Sequence, residues 1–281
     1  AGPVILVHDG KWRERAAPEG ASYLTDVATD GKRLFVAGSA DDRPAVWTAD
    51  ASAAPDWERE DLDAPPGDLR AIAVSPDGER VVAVGLAFTE RPVPLVLVKN
   101  GGEWSESTLP GSRVNVGGVV ASGDRFVAGG RADDRAQLWS SADGIAWTPM
   151  PIAAVDAYVT QLEVDSAGAV IGVGSARGSG LVFAPGPDGH VEVDLPNEDA
   201  GESAMDLVAS ARGWVIVGVD IDPGDVTHGI TWAAGPEARD WTLNERIAAD
   251  RLNGAVVVEG KVFGVGSVTR AGRLTPVLVP L

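Results

Sequence analysis

The sequence predicts an all-β fold, a six-bladed β-propeller built from four-stranded antiparallel blades. Two observations lead to this prediction. A short apolar segment that ends in glycine recurs six times, 44 to 48 residues apart, at Gly38, Gly85, Gly130, Gly174, Gly218 and Gly266. Each interval also holds about four short strand-like segments, and a period in the mid-forties with four strands is typical of a propeller blade.

The first two predicted strands of each repeat, A and B, form a hairpin. The A strands are predicted at 24–28, 71–74, 117–121, 160–164, 205–209 and 254–258. The B strands follow a turn that contains glycine or aspartate, and they end at the six glycines. Because the B strands are largely apolar on both faces, we expect them to be buried between neighbouring blades.

The third and fourth predicted strands, C and D, complete each repeat. The C strands are predicted at 45–47, 95–98, 137–139, 181–183, 230–232 and 276–279. The D strands begin at Trp12, Trp57, Trp104, Trp147, Val191 and Trp241. An exposed indole could stack on a carbohydrate, but packing better explains a residue that recurs once per blade, since a buried tryptophan removes about 150 to 250 Å² from water.

The two ends of the chain are predicted to meet in one blade. The first D strand lies at the N-terminus, and its A and B partners would come from 251–266, so that strands from both termini pair and close the ring without an exposed sheet edge. The segments 4–7 and 276–279 both resemble a C strand. Either 4–7 is an extra outer strand, or the two segments compete for one place in that blade. We therefore expect a single domain, 1–281, with repeats at 23–66, 67–111, 112–156, 157–201, 202–250 and 251–281 together with 1–22.

The composition limits the possible partners. With 41 acidic and 23 basic residues, the formal net charge is −18. Such a surface repels phosphate backbones, so neither nucleic acid nor an anionic membrane is an expected partner. No apolar run approaches the roughly 18 to 20 residues of a membrane span, so we predict no membrane insertion. The chain contains no cysteine, which excludes disulfides, thiolate catalysis and cysteine-based metal sites.

The first residue bears on localisation. The sequence starts at Ala1 without methionine, which favours a processed protein that is secreted or associated with the cell envelope. A cytoplasmic location stays open, because an absence of cysteine fits either redox compartment.

The turn between the third C and D strands contains Ser141, Asp143, Gly144 and Trp147. These residues resemble the Asp-box motif of sialidase-like, BNR-repeat bacterial β-propellers, with one residue fewer between the aspartate and the glycine. Degenerate copies occur at 8–12, 100–104 and 187–189. The resemblance implies a structural turn in which the aspartate accepts backbone N–H groups and the tryptophan packs between strands. The arginine-containing motif that opens sialidase domains is missing.

A ligand site is predicted at the mouth of the central channel, where the A strands begin. Concave mouths with convergent polar groups are the usual ligand sites. Each blade places one polar residue there: Asp26, Arg70, Asn115, Gln161, Asp206 and Asn253. These residues could form a hydrogen-bonding ring around a small polar ligand, or they could simply be solvated by channel water.

Two enzyme hypotheses stand beside this binding hypothesis. A sialidase-like glycosidase would use Tyr158 with Glu163 and an arginine cluster of Arg70, Arg113 and Arg251. A lactonase-like hydrolase would hold calcium on oxygen atoms of Asp26, Asn115, Asp206 and Asn253. We predict a non-catalytic binding module without a cofactor, which recognises a protein or small polar ligand at the channel mouth, with a hydrolase or lyase at the same mouth as the alternative.

Overall fold

A computed structural model describes residues 3–52, 55–150, 152, 156–176, 179–186, 189–196, 202–221, 226–270 and 272–281, without the side chains at 245 and 246. Over these ranges the chain forms 25 β-strands and no helix, hence no helix long and apolar enough to cross a membrane. The sheets show the predicted all-β, six-bladed β-propeller with mostly four-stranded antiparallel blades. The chain divides into two compact units.

The first unit comprises Ala1–Asp133 and Trp139–Pro149, which hold an N-terminal hairpin, blades 1 and 2 and most of blade 3. The hairpin consists of β1 (Ile5–His8) and β2 (Trp12–Arg15). Blade 1 consists of β3 (Tyr23–Thr29), β4 (Arg33–Ala40), β5 (Arg43–Asp50) and β6 (Glu58–Arg59). Blade 2 consists of β7 (Gly67–Val74), β8 (Arg80–Ala87), β9 (Val93–Asn100) and β10 (Trp104–Ser107). Blade 3 consists of β11 (Asn115–Ser122), β12 (Arg125–Ala132), β13 (Arg135–Ser141) and β14 (Thr148–Met150).

The second unit comprises Asp134–Leu138 and Met150–Leu281, which hold part of β13 and blades 4 to 6. Blade 4 consists of β15 (Ala157–Val164), β16 (Val170–Ala176), β17 (Ser179–Gly186) and β18 (Gly189–Asp194). Blade 5 consists of β19 (Ser203–Ser210), β20 (Gly213–Ile221), β21 (Thr227–Ala234) and β22 (Thr242–Ile247). Blade 6 consists of β23 (Arg251–Val258), β24 (Lys261–Arg270) and β25 (Arg273–Pro280). In every blade the strands follow one another across the sheet in chain order.

Blade 6 has three strands, and the strand that begins at Trp12 pairs with β1 in a sheet of its own. The third place in blade 6 is taken by β25, which contains the predicted segment 276–279, and not by the N-terminal segment 4–7. Leu281 donates its N–H to the carbonyl of Val262, so the even-numbered residues of β25 face the outer edge. Pro276 and Pro280 stand at such positions and offer no N–H to a fourth strand.

The B and C strands supply most of the buried side chains. Phe35 of blade 1 packs in one cluster with Ile72 of blade 2, and Val84 of blade 2 packs in another with Trp139 of blade 3. In the second unit, Trp232 of blade 5 shares a cluster with strands of blade 4. The prediction that B strands are buried between neighbouring blades is confirmed for these pairs.

A buried tryptophan occupies the same place in the third strand of blades 1, 3 and 5, at Trp47, Trp139 and Trp232. The indole Nε1 of Trp139 donates to the carbonyl of Pro110 at 2.9 Å, and that of Trp232 donates to the carbonyl of Pro196 at 2.8 Å. Both acceptors precede, in sequence, the first strand of the tryptophan's own blade. The Nε1 of Trp47 is buried and finds no acceptor in the part of the chain that the structure describes.

We expect Trp139→Phe to destabilise the protein by about 1 to 2 kcal/mol more than Trp47→Phe. Both changes replace a buried indole by a smaller ring. Trp139→Phe also removes a hydrogen bond, whereas Trp47→Phe removes a buried N–H donor that has no acceptor. Urea denaturation of the two variants at one pH measures the difference. Equal losses of stability would show that the Trp139 bond contributes nothing.

Candidate functional site

Every first strand of a blade carries a β-bulge near its beginning. The pairing register with the second strand skips one residue in each blade, and the skipped residues are Thr25, Arg70, Gly117, Thr160, Met205 and Asn253. A bulge leaves its extra residue unpaired and bends the strand. We call this end of a blade, which also holds the turn between its second and third strands, the proximal end, and the opposite end the distal end.

The bulge explains the six glycines of the B strands. A Cβ atom built on any of them would lie 1.8 to 2.2 Å from a carbonyl oxygen of the first strand, a distance that no real side chain shows. The carbonyls belong to Tyr23, Asp68, Asn115, Tyr158, Ser203 and Arg251. These six residues therefore occupy one equivalent position, two residues before the bulge.

The six predicted site residues do not share one position. Asn115 lies two residues before a bulge, and Arg70 and Asn253 are bulged residues. The other three, Asp26, Gln161 and Asp206, directly follow a bulge. Ligand binding by these residues stays a prediction, and the structure adds what their side chains contact.

Asp26 and Asp206 make the same pair of contacts in blades 1 and 5. Asp26 accepts the N–H of Val27 at 2.7 Å and, through its second oxygen, the N–H of Ile72 in blade 2 at 2.8 Å. Asp206 accepts from Leu207 at 2.9 Å and from Ala255 in blade 6 at 2.9 Å. Each carboxylate thus satisfies a backbone group beside its own bulge and joins its blade to the next.

Gln161 extends this arrangement within the second unit. Its Oε1 accepts the N–H of Leu162 at 3.3 Å, and its side chain also hydrogen-bonds to Asp206. Burial raises the pKa of Asp206 to about 6, although the hydrogen bonds from Ala255, Leu207 and Gln161 oppose the rise. Blades 4, 5 and 6 are therefore linked in series through Gln161 and Asp206, two of the residues predicted from the sequence to bind a ligand.

Arg70 and Asn115 form the second contact among the predicted residues. The Arg70 Nη1 donates to Asn115 Oδ1 at 3.2 Å and to the carbonyl of Val116 at 3.4 Å, which joins blades 2 and 3. Asn253 is exposed at its bulge. Four of the six side chains are thus paired with each other, and their contacts join neighbouring blades.

The calcium hypothesis gains no support from these contacts. Both oxygens of Asp26 and both oxygens of Asp206 already accept backbone N–H groups. Among the residues whose placement is described, no group of three or more His, Asp or Glu side chains could hold a metal ion.

The sialidase-like pair is poorly placed for joint chemistry. Tyr158 pairs with Ser175 and Glu163 pairs with Ile171, so the two positions are four residue steps apart along β16, or about 13 Å. A nucleophile and its activating base need hydrogen-bond contact. One of the three arginines of that hypothesis, Arg70, donates a hydrogen bond to Asn115.

The Asp-box-like turn has the side-chain geometry that the resemblance implies. Asp143 Oδ1 accepts the N–H groups of Ile145 at 2.8 Å and Ala146 at 2.9 Å, and these bonds hold the pKa of Asp143 below its usual value. The Nε1 of Trp147 donates to the carbonyl of Gly144 at 2.8 Å, and the ring is buried. This distal turn is a structural feature of blade 3; of the degenerate copies, residues 187 and 188 lie outside the described ranges.

Blade 5 contains an equivalent turn that the sequence did not reveal. The Nε1 of Trp241 donates to the carbonyl of Ala238 at 3.0 Å, three residues back, as Trp147 does to Gly144. Ala238 has φ 50°, in the left-handed region that Gly144 occupies with φ 76°. The missing aspartate removes the sequence signal while the tryptophan keeps the packing.

The acidic proximal turns of blades 1 and 3 are explained by the backbone. Asp41 and Asp42 have φ 52° and 58°, and Asp133 and Asp134 have φ 49° and 65°. Two consecutive left-handed residues define the tight hairpin turn that favours Asp, Asn and Gly. The turn conformation therefore accounts for aspartate at these four positions.

Seven exposed large apolar side chains lie at proximal ends. In the first unit, Tyr23 is 71% exposed and Phe88 48%, and Val93 is also exposed. In the second unit the exposed side chains at proximal ends are those of Tyr158, Ile221, Val226 and Leu274. Within the described ranges the class also includes side chains away from the proximal ends: Ile145 and Leu281 at distal ends, Val27 and Val265 within strands, and Val4 and Leu6 at the N-terminal hairpin. Of these residues only Tyr158 is a candidate from the sequence, and there as a nucleophile, although the place of Phe88 beside a predicted turn was a usable signal of exposure.

Comparisons with known proteins agree with the fold. No family model matches the chain, and no curated protein matches it. A structure of YCF48 bound to D1 peptide is 16% identical, with a TM-score of 0.57, and the match covers 92% of this chain and 79% of that one. The nidogen/laminin complex gives 12% identity and a TM-score of 0.60 over 87% and 88%. Virginiamycin B lyase from Staphylococcus aureus gives 10% and 0.66 over 92% and 85%. At these identities the likeness shows a shared fold, which hosts both binding proteins and a lyase.

Proposed function

We propose that this propeller is a non-catalytic binding module for a protein or peptide, which docks at proximal blade ends. The observation that carries the proposal is that seven exposed large apolar side chains lie at proximal ends, three in the first unit and four in the second. Exposed apolar groups that gather on one surface are typical of protein interaction sites, whereas isolated ones are ordinary. Aromatic residues in particular are enriched where proteins bind one another.

Three further observations bear on the nature of the partner. The predicted polar ring is largely engaged in joining blades, which leaves fewer free groups for a small polar ligand. Two of the structural neighbours are described with a bound peptide or protein, the D1 peptide and laminin. The net charge of −18 favours neutral or basic partners.

A displayed library of random 12-residue peptides, selected on the purified protein, tests the proposal. We expect the selected peptides to bind about tenfold more weakly to Phe88→Ser, in the first unit, or to Leu274→Ser, in the second, because an exposed apolar anchor is lost. Fluorescence anisotropy of a labelled peptide measures the Kd.

Ile145→Ser is the matched control. Ile145 is 50% exposed, much like Phe88, but lies at a distal turn. Unchanged affinity for this variant supports the proposal. Peptides that tolerate both Phe88→Ser and Leu274→Ser, or that depend on Ile145, would contradict it, as would a selection that yields no binder.

A further inference from the structure

Asp68 is a carboxylate at the proximal end of blade 2 whose bonding is incomplete. It lies two residues before the bulge, paired with Leu86, and it is half-buried. Its Oδ1 is buried and has no hydrogen-bond partner among the residues that the structure describes. A carboxylate oxygen that has left water without gaining a donor is costly, and such a group in a native protein calls for an explanation.

The neighbouring arginine does not supply the hydrogen bond that Asp68 Oδ1 lacks. Arg70 is two residues away, but its Nη1 is directed to Asn115 Oδ1 and to the carbonyl of Val116 in blade 3. The ion pairs found over the described ranges join Asp9 to Arg13, Asp30 to Arg33, Glu60 to Lys99 and Asp133 to Arg113. Asp68 takes part in none of them.

Asp68 also differs from its five equivalents. The matching positions before the other bulges hold Tyr23, Asn115, Tyr158, Ser203 and Arg251, all of them exposed. Asp68 is the only acid among the six. A requirement of the bulge itself would recur from blade to blade, as the B-strand glycines do, so the fold does not explain a carboxylate at this place.

An exposed aromatic ring lies close to Asp68. Phe88 immediately follows β8, and its N–H bonds to the carbonyl of Pro66, just before β7 begins. Since Asp68 pairs with Leu86, Phe88 is two residues further along the hairpin, about 7 Å away. A carboxylate beside an exposed aromatic suits a long cationic side chain, whose apolar stem packs on the ring while its charged end reaches the acid.

We propose that the partner presents a lysine or arginine side chain to Asp68, with its stem against Phe88. This inference rests on the proposed function and names the chemistry of the partner at the first unit. A cation that binds this carboxylate offsets the desolvation of its buried oxygen, as an ion pair within the chain would. The acidic surface of the whole protein draws a basic segment to the site.

The peptides selected on the wild-type protein provide the test. We expect lysine or arginine to be enriched beside apolar residues, and the labelled peptide to bind Asp68→Asn about tenfold more weakly. Replacing the peptide's own basic residue by glutamine should cause a similar loss on the wild type and little further loss on Asp68→Asn. That peptide substitution tests the contact without altering the fold of the protein.

Asp124→Asn is the control, because it removes an equal charge from an exposed distal turn of blade 3. Peptides that depend on Phe88 but carry no basic enrichment, or that bind Asp68→Asn unchanged, would overturn the inference and leave the proposed function standing. Peptides that depend on Leu274 alone would do the same. A loss of affinity in Asp124→Asn as large as that in Asp68→Asn would overturn the inference, because the effect would then come from the overall charge of the protein. A selection without binders would overturn both proposals.

Discussion

Gly130→Ala is expected to destabilise the protein by about 3 kcal/mol or more, although it adds a single methyl group. The new Cβ would lie 2.0 Å from the carbonyl oxygen of Asn115 and 2.9 Å from the Cα of Val116. Both are backbone atoms next to the bulge of β11, so no side chain can rotate away, and the two strands must separate. Equilibrium unfolding in urea measures the loss.

Gly102→Ala is the matched control for that substitution. Gly102 lies in the exposed distal turn of blade 2, and a Cβ there meets nothing within 4 Å. Its replacement should change the free energy of unfolding by less than about 0.5 kcal/mol. Comparable losses of stability for the two variants would mean that the close backbone approach at Gly130 is not the reason why a glycine is needed there.

The blades could be predicted from the sequence because this glycine requirement involves only backbone atoms. Any blade with a bulged first strand needs it, whatever the blade binds, so the signal recurs at Gly38, Gly85 and the other four positions. The bulge itself leaves no such trace. Its extra residue is threonine, arginine, glycine, methionine or asparagine in different blades, because a bulge is a property of pairing register and not of residue type.

The candidate site shows the consequence of that missing signal. Without the register, Asn115 and Asp206 look equivalent, although one precedes a bulge by two residues and the other follows one. Nor could the sequence show that Asp206 bonds to Ala255 of the next blade, since that contact depends on how two blades pack. The place of Phe88 beside a predicted turn was a signal of exposure, but that its ring is 48% exposed follows only from the tertiary structure.

The last blade shows the same limit for strand pairing. Trp12 carries the sequence pattern of a D strand, but the pattern says only that a strand begins, not which neighbour it pairs with. The structure pairs it with β1 across the turn at Gly10, where φ is 90°. The prolines of β25 were visible in the sequence. That they stand where a backbone N–H would face the outer edge follows only from the pairing register with β24.

Acidification is expected to stabilise the folded protein through Asp206. Because burial raises its pKa from 3.8 to about 6, the folded state holds this proton between those values while the unfolded state releases it. The stabilising contribution is fully present below pH 3.8 and is lost as the pH rises through about 6. At about 1.36 kcal/mol per pKa unit, the loss amounts to about 3 kcal/mol.

The difference in unfolding free energy between the wild type and Asp206→Asn, followed by urea denaturation from pH 3.5 to 7.5, isolates this contribution. As the pH rises over this range, the wild type should lose about 3 kcal/mol of unfolding free energy relative to Asp206→Asn. This change does not depend on how stable the variant is at any one pH. Asp143→Asn should show the opposite sign, because hydrogen bonds lower the pKa of Asp143 and its contribution is lost on acidification. A difference for Asp206→Asn that stays constant with pH would mean that this carboxylate titrates alike in both states, and that its bonds to Ala255, Leu207 and Gln161 balance its burial.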